Sequence, residues 1–470
     1  MKALSAELHE ALLGGEGSGL IYSQHSETYM LISQEGNPCV IPIPSQQFTH
    51  IIRADVALKG VDIRAADISS LADTLQGKAE MRGTVTEVWQ RIAPFKDGIE
   101  IDVGDAKNTR IRVTASGVDT VTSGSDILFC RNTIAKEMVL PAEEGDLKLL
   151  EKYVNVNGCD FALLIMWLSY TLAHPKQEES EYPILVLQGD QGTGKSLICS
   201  IINTLIDPNT IGIQAFPRGE KDLVIAIQSS HVTCYDNMRH LTHQMSDKLC
   251  ITATGGTISN RALYTDSGQS VKHLHGAVVL NGIHSFINQP DLASRCVTIQ
   301  TNPLIKNRLA KGELKESFKR DLPKIFRGLL NLAASILNSL PGAEVTSPER
   351  MMKFSKWLAA MEASIGNNCP KGAYQELYSN SLKDAQLETL MDNPLASKLI
   401  EFITEPWEGT SQELYEYLNY YGKNAISLGK QLRAISAGLR EQGLDVQFTR
   451  SKKRIITITP SEEFLEKFQE

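Results

Sequence analysis

An excess of basic charge is missing from this chain: Lys and Arg total 47 against 55 Asp and Glu, a formal net charge of −8. No global pull toward polyanions exists, so any nucleic-acid site has to be a local patch or channel. Also missing is metal or disulfide spacing among the eight cysteines, which are scattered with no C-x-x-C or C-x-x-H pair. They read as reduced thiols of a cytoplasmic protein, not as zinc ligands or a disulfide framework. Long apolar runs are absent too. The longest, Phe161 to Ala173, is too short for a bilayer and is flanked by Asp160 and His174-Pro175, so a core helix and no membrane partner are expected. The start, MKALSAELHE, has no signal-peptide profile. No D-x-D pair occurs in the first 140 residues, which argues against a two-metal primase or polymerase centre there. Internal repeats and low-complexity tracts are lacking as well.

What the chain does have is Gly189-Asp190-Gln191-Gly192-Thr193-Gly194-Lys195-Ser196, a match to G-x-x-x-x-G-K-[ST]. Pro183 to Gln188 reads as a buried strand ending at the first glycine, and Leu197 to Leu205 as a helix with its apolar residues on one face. Strand, glycine loop and helix start are what phosphate binding requires. Glycines let backbone N–H groups turn onto phosphate oxygens, and the helix N-terminus adds favourable partial charge. Lys195 is then expected on the β/γ-phosphates of ATP, with Ser196 on Mg²⁺.

A phosphate loop needs a carboxylate at a neighbouring strand end, and Asp236, after His231-Val-Thr-Cys-Tyr, is the candidate second magnesium ligand. Asn237 stands where hydrolysing enzymes usually carry Glu; an amide orients water but cannot take its proton. Asn281 ends the apolar strand GAVVLN and is placed to hydrogen-bond a γ-phosphate or attacking water. Arg295, just before the next apolar strand, fits either a trans-acting finger or a surface salt bridge. Two β-prone arms around Asp266-Ser-Gly268 read as a hairpin, with Arg261, Lys272 and His273 as candidate contacts to a single strand in a ring channel.

Taken together, GDQGTGKS, VTCYDN, SDKLC followed by GGTISNRALYTD, VVLNGI and DLASR resemble, in that order, the AAA+ superfamily 3 helicase-like ATPases of phages, plasmids and integrated mobile elements, a primase-associated group. The resemblance extends over roughly residues 80 to 460. It implies a homo-oligomeric ring, usually a hexamer, with ATP between subunits and translocation on DNA. By position, Gly189, Gly194, Lys195 and Ser196 bind phosphates and Mg²⁺, Asp236 is the Walker B acid, Asn281 is sensor 1 and Arg295 is the finger. Arg261 matches an arginine of the family's hairpin motif. No primase domain is recognisable upstream, so priming falls to a separate primase.

The chain's 470 residues are too many for one core. The expected class is α/β: a small mixed α/β region (1–80), a β-rich region (81–145), a P-loop ATPase core (146–340), a helical segment (341–393) and a winged-helix module (394–470). Within 1–80 we expect a short helix and weak strands; within 81–145, strands at Thr84 to Trp89, Ile99 to Val103, Ile111 to Thr114 and Ile127 to Arg131. In the last module, Ser427 is expected to cap a helix from Leu428 to Gln442, followed by a two-stranded wing. From Leu428 to Thr459 there are seven basic residues (430, 433, 440, 450, 452, 453, 454) and two acidic ones (441, 445), a net of +5. That excess suits duplex phosphates, with Lys430, Arg433, Arg450, Lys452, Lys453 and Arg454 as candidate contacts; winged modules also dock proteins. The reading is an ATP-dependent DNA helicase or replication-initiation ATPase of a mobile element. The alternative is a nucleotide-switched DNA-binding oligomer, in replication control or phage defence, that does not unwind.

Overall fold

Ile184 to Leu187 expose no surface at all, and this run is the second strand from one edge of a five-stranded sheet. The computed structural model describes residues 19–23, 27–34, 37–58, 60, 62–122, 125–177, 179–261, 269–283, 285–303, 311–420, 422, 424–450 and 454–468. The sheet runs in the order Ile213–Ala215, Val232–Met238, Ala277–Gly282, Ile184–Gln188, Cys296–Gln300, and every pairing is parallel. Continuous apolar strands are what a parallel sheet covered on both faces demands. The three-residue edge strand was not read from the sequence, because Ile213-Gln-Ala215 is too short to carry a period.

Helix Gly158–Ala173 is the expected core helix. Asn157 caps it by accepting from the Asp160 N–H at 2.8 Å, and its last eleven residues are all buried.

The β-rich stretch is organised differently from its sequence reading. Thr84–Val85 and Val88–Trp89 join separate sheets, the first beside Gly19–Tyr22 and the second beside Leu128–Phe129. Ile92–Phe95, Gly98–Asp102, Arg110–Thr114 and Gly117–Val121 form an antiparallel meander whose register sets Glu100 opposite Arg112 and Asp102 opposite Arg110. Apolar residues of this meander, Ile92, Ile99, Ile101, Ile111 and Val113, belong to one continuous core with the parallel sheet and with helices Lys311–Ser339, Met352–Ile365 and Ala373–Met391. The divisions expected at 145 and 340 therefore cross a shared core.

Two other regions keep cores of their own. The N-terminal one packs two helices, Gln46–Leu58 and Ala65–Arg82, on a four-stranded sheet. One short helix was expected in this region; the second has a weak period because its buried stripe, Ile68, Leu71, Ala72, Leu75 and Ala79, is partly alanine.

The C-terminal core includes Leu395, Leu399, Leu414, Leu428, Leu432, Leu439, Val446 and Ile458. Its elements run helix Pro394–Phe402, strand Trp407–Gly409, helix Ser411–Tyr417, helix Ala425–Glu441, strand Leu444–Arg450, strand Arg454–Pro460. The three strands pair antiparallel, with Arg454–Pro460 in the middle. The cap of the long helix is Asn424, not Ser427: the Ser427 N–H donates to Asn424 Oδ1 at 2.8 Å, so Ser427 is the third residue of the helix.

Candidate functional site at the glycine loop

Three glycines of the loop, at 189, 192 and 194, have positive φ. Gly189 has a steric reason as well, since a Cβ there would lie 2.2 Å from Thr301 Oγ1. Gly194 is the N-cap of helix Lys195–Ile206, in the left-handed conformation that turns the chain from loop to helix.

Lys195 is buried, and its Nζ donates to the carbonyls of Gly189 and Asp190, both at 2.7 Å. Burial lowers the pKa of this ammonium, against the pull of Asp190 and Asp236. Ser196 is exposed, and its hydroxyl donates to Asp236 Oδ2 at 3.1 Å. The two residues expected to share Mg²⁺ thus meet across 40 positions of sequence. A hydroxyl and a carboxylate are hard oxygen donors, and Mg²⁺ is commonly held by one or two such groups plus phosphates and water, so the pair fits the ion. Among the described residues no group of three or more His, Cys, Asp and Glu is placed to hold a metal.

Strand Val232–Met238 breaks register between Tyr235 and Met238, and Asn237 in that bulge has φ 58°. A bulge re-aims side chains, and here it leaves Asn237 exposed at the carboxyl edge. Its N–H donates to Asn281 Oδ1 at 3.2 Å, while Asn281 Nδ2 donates to Cys199 Sγ at 3.3 Å. Asn281, 1% exposed, therefore ties the bulge to the helix behind the glycine loop.

Arg295 is a buried cation just ahead of strand Cys296–Gln300. It is 8% exposed, and its Nη1 donates to the Asp291 carbonyl at 2.6 Å and lies 2.7 Å from the Asp291 carboxylate. The Arg295 Nε has no hydrogen-bond partner. The exposed guanidinium on the same carboxylate is that of Arg350, paired with the other Asp291 oxygen.

Two supports of the loop carry no local signal. Thr301 Oγ1 lies 2.6 Å from Thr193 Oγ1 and 2.9 Å from the Gln188 carbonyl. Asn155 Nδ2 donates to the carbonyls of Thr193 and Asn302. Only the residues' meeting in space marks them.

The expected hairpin exists as Gly256–Arg261 and Gln269–Leu274. His273 pairs with Thr257 and Lys272 with Ile258 near its base, whereas Arg261 pairs with Gln269 at the outer end. The backbone carbonyl of His273 accepts from Gln228 Nε2 at 3.2 Å. Asp266-Ser-Gly268 lies outside the described residues.

In the C-terminal region Lys430, Arg433 and Arg454 are exposed, and Arg450 pairs with Arg454 across the strands. Lys452 and Lys453 lie outside the described residues.

Fold and site define the class: a mixed α/β protein with a central parallel sheet, whose glycine loop, lysine and strand-end carboxylate gather at one sheet edge. Within that class, the chain belongs to the family of actinomycete integrative conjugative element replication proteins. That family's model matches residues 147–385, more than half of the chain, and the model of the RepA C-terminal domain of the same elements matches residues 395–467. No curated protein matches the chain.

Solved structures similar to it include one described as "SCCmec type IV Cch - active helicase", at 12% identity and a TM-score of 0.48, with 95% of this chain and 93% of that one covered. Another is the apo structure of the NrS-1 C terminal region, at 12% identity and a TM-score of 0.43, covering 97% and 99%. Among the described residues no helix is long and apolar enough to cross a membrane.

Proposed function

We propose that this replication protein is an ATP-dependent DNA helicase or replication-initiation ATPase of the AAA+ superfamily 3 type, acting as a homo-oligomeric ring, with six subunits as the expected number. The observation that carries the reading is the contact between Ser196 and Asp236 beside the Lys195 loop. Further support comes from the strand order, in which the loop strand lies between the Asn281 strand and the strand that follows Arg295.

In this reading the backbone N–H groups of Gly189 to Gly194 cradle the phosphates of ATP. Lys195 moves from its own loop carbonyls to the β/γ-phosphate oxygens. Ser196 and Asp236 hold Mg²⁺, which supplies charge neutralisation at the β- and γ-oxygens. Asn237 orients water, and Asn281 is a positioning residue that fixes the bulge presenting Asn237. Arg295 reaches a neighbouring subunit's phosphate by leaving Asp291, which keeps Arg350 as its partner.

The C-terminal region is read as a winged helix on duplex DNA, supported by its element order and by the exposure of Lys430, Arg433 and Arg454. The hairpin Gly256–Leu274 is read as facing a single strand in the ring channel, and priming is left to a separate protein.

Asn237 in the bulge favours a second reading, a nucleotide-switched oligomer that binds DNA without unwinding, because an amide supplies no general base. Strand displacement on a forked duplex separates the two. The wild-type chain with ATP and Mg²⁺ is expected to unwind and Lys195→Ala to lose at least about a hundredfold of the rate, the scale for removing one phosphate-stabilising donor. ATP and DNA binding by wild type without displacement would overturn the helicase reading.

A further inference from the structure

Helix Ala425–Glu441 presents a stripe that its own fold does not use. Leu428, Leu432, Ile435 and Leu439 face the core. On the opposite side Ile426, Lys430, Arg433, Ala437 and Arg440 are all exposed at spacings of four and three, a straight line down one face. No acidic residue lies on that line.

Two of its cations are already oriented. Arg440 Nε donates to Asp445 at 2.8 Å, which neutralises the C-terminal end of the stripe. Arg433 sits with its guanidinium 4.9 Å from the centre of the Phe448 ring on strand Leu444–Arg450, an arrangement that stiffens a long side chain and points to the N-terminal half as the reading end.

In that half stands Ile426, 74% exposed in the first helical turn. Core packing does not explain it, and helix propensity favours several polar residues over isoleucine. From Ile426 to Arg433 the helix rises about 10 Å, on the order of three base-pair steps, and a helix of this kind fits the major groove. In that groove the one strongly apolar feature of a base edge is the thymine 5-methyl group.

We infer that Ile426 reads a thymine methyl in the major groove, making this module a sequence-specific reader of duplex DNA. The inference rests on the winged-helix reading above. Lys430 and Arg433 hold the helix against phosphate and base edges on either side of that contact, and the small side chain of Ala437 lets the backbone lie close.

The test starts with the full chain and a random duplex pool. Duplexes enriched by the wild type are then resynthesised with each thymine replaced in turn by deoxyuridine, which removes the methyl and nothing else. One replacement is expected to weaken wild-type binding about fourfold, the worth of one buried methyl group. For Ile426→Ala that same replacement is expected to have no effect, while Ile426→Val retains most of the discrimination. Duplex binding that is indifferent to every methyl, or equally sensitive in Ile426→Ala, overturns the role of the isoleucine alone. Failure to bind any duplex, at any salt concentration, overturns the DNA reading of the module with it and marks the stripe as a protein-docking face.

Discussion

The core around the parallel sheet and the C-terminal module handle charge in opposite ways. In the core, charged groups are buried and held by backbone carbonyls or a buried carboxylate: Lys195 by the carbonyls of Gly189 and Asp190 in its own loop, and Arg91 by Asp207 and four backbone carbonyls, those of Asp102, Val103, Lys136 and Pro208. In the module Lys430, Arg433, Arg440 and Arg454 lie at the surface, where Arg440 meets Asp445 and Arg433 the Phe448 ring. Buried charges are costly to strand and fix geometry; exposed ones are individually weak and act by sum. Under the proposed function, the first arrangement suits a site that places one phosphate and the second a face that searches on a polyanion.

The contrast is broken most directly at Arg91. Arg91→Ala leaves Asp207 charged and 5% exposed, and is expected to destabilise the chain by about 3–5 kcal/mol. The matching change in the module, Arg440→Ala, removes an exposed pair and is expected to cost less than about 1 kcal/mol. Denaturant titrations of the two variants make the comparison; equal losses would erase it.

Acid offers the next largest effect. His231 is 1% exposed and donates through Nε2 to the Thr171 carbonyl, and burial pushes its pKa down to about 4 from 6.5. Its folded-state value lies below the unfolded one, so the contribution is complete above pH 6.5 and is lost as pH falls through 4. The loss is on the order of 3 kcal/mol. Residues 394–470 contain no histidine. Calorimetry between pH 7 and pH 4 is therefore expected to show the larger core weakening ahead of the module, and His231→Gln to reduce the difference, with His174, whose pKa burial also pushes down to about 4, supplying the remainder.

A smaller effect sharpens the loop itself. Thr301→Val removes the hydroxyl that joins Thr193 to the Gln188 carbonyl, and is expected to cost about 1 kcal/mol in the loop, read as a roughly fivefold weaker affinity for ATP. Lys430→Ala, on the exposed face, should leave that affinity unchanged.

How much of this was legible in the sequence depends on whether a contact is local or distant in the chain. The loop, its strand and its helix stand out because spacing alone carries them, and Asp236 stands out as a carboxylate ending an apolar strand, although that strand is not the expected neighbour of the loop strand: Ala277–Gly282 lies between them. Thr301 and Asn155 could not be found this way, since nothing in their own surroundings records contact with residues 193 and 188. The sharing of one core by the meander and the sheet was hidden for a related reason: alternation reveals which residues face inward, but not whose interior they enter. In the C-terminal module helix and hairpin were visible by period, while Asn424 took the cap from Ser427 because two adequate capping residues stood three apart. Trp407–Gly409 was too short for any pattern. The burial of Arg295 was also unreadable, because Asp291 is one helical turn away whether the pair faces water or the interior.

Asp207 gathers these threads at the rear of the sheet. It ends the helix that starts at Lys195, receives Arg91 from the meander, and accepts the N–H of His231 at 2.6 Å, one residue before the strand that carries Asp236. Three pieces thus share one carboxylate, and none can swing without breaking a buried ion pair or its backbone tie. A displacement at the glycine loop has no hinge to spend itself on at this end, so the meander travels with the loop helix as one stiff body.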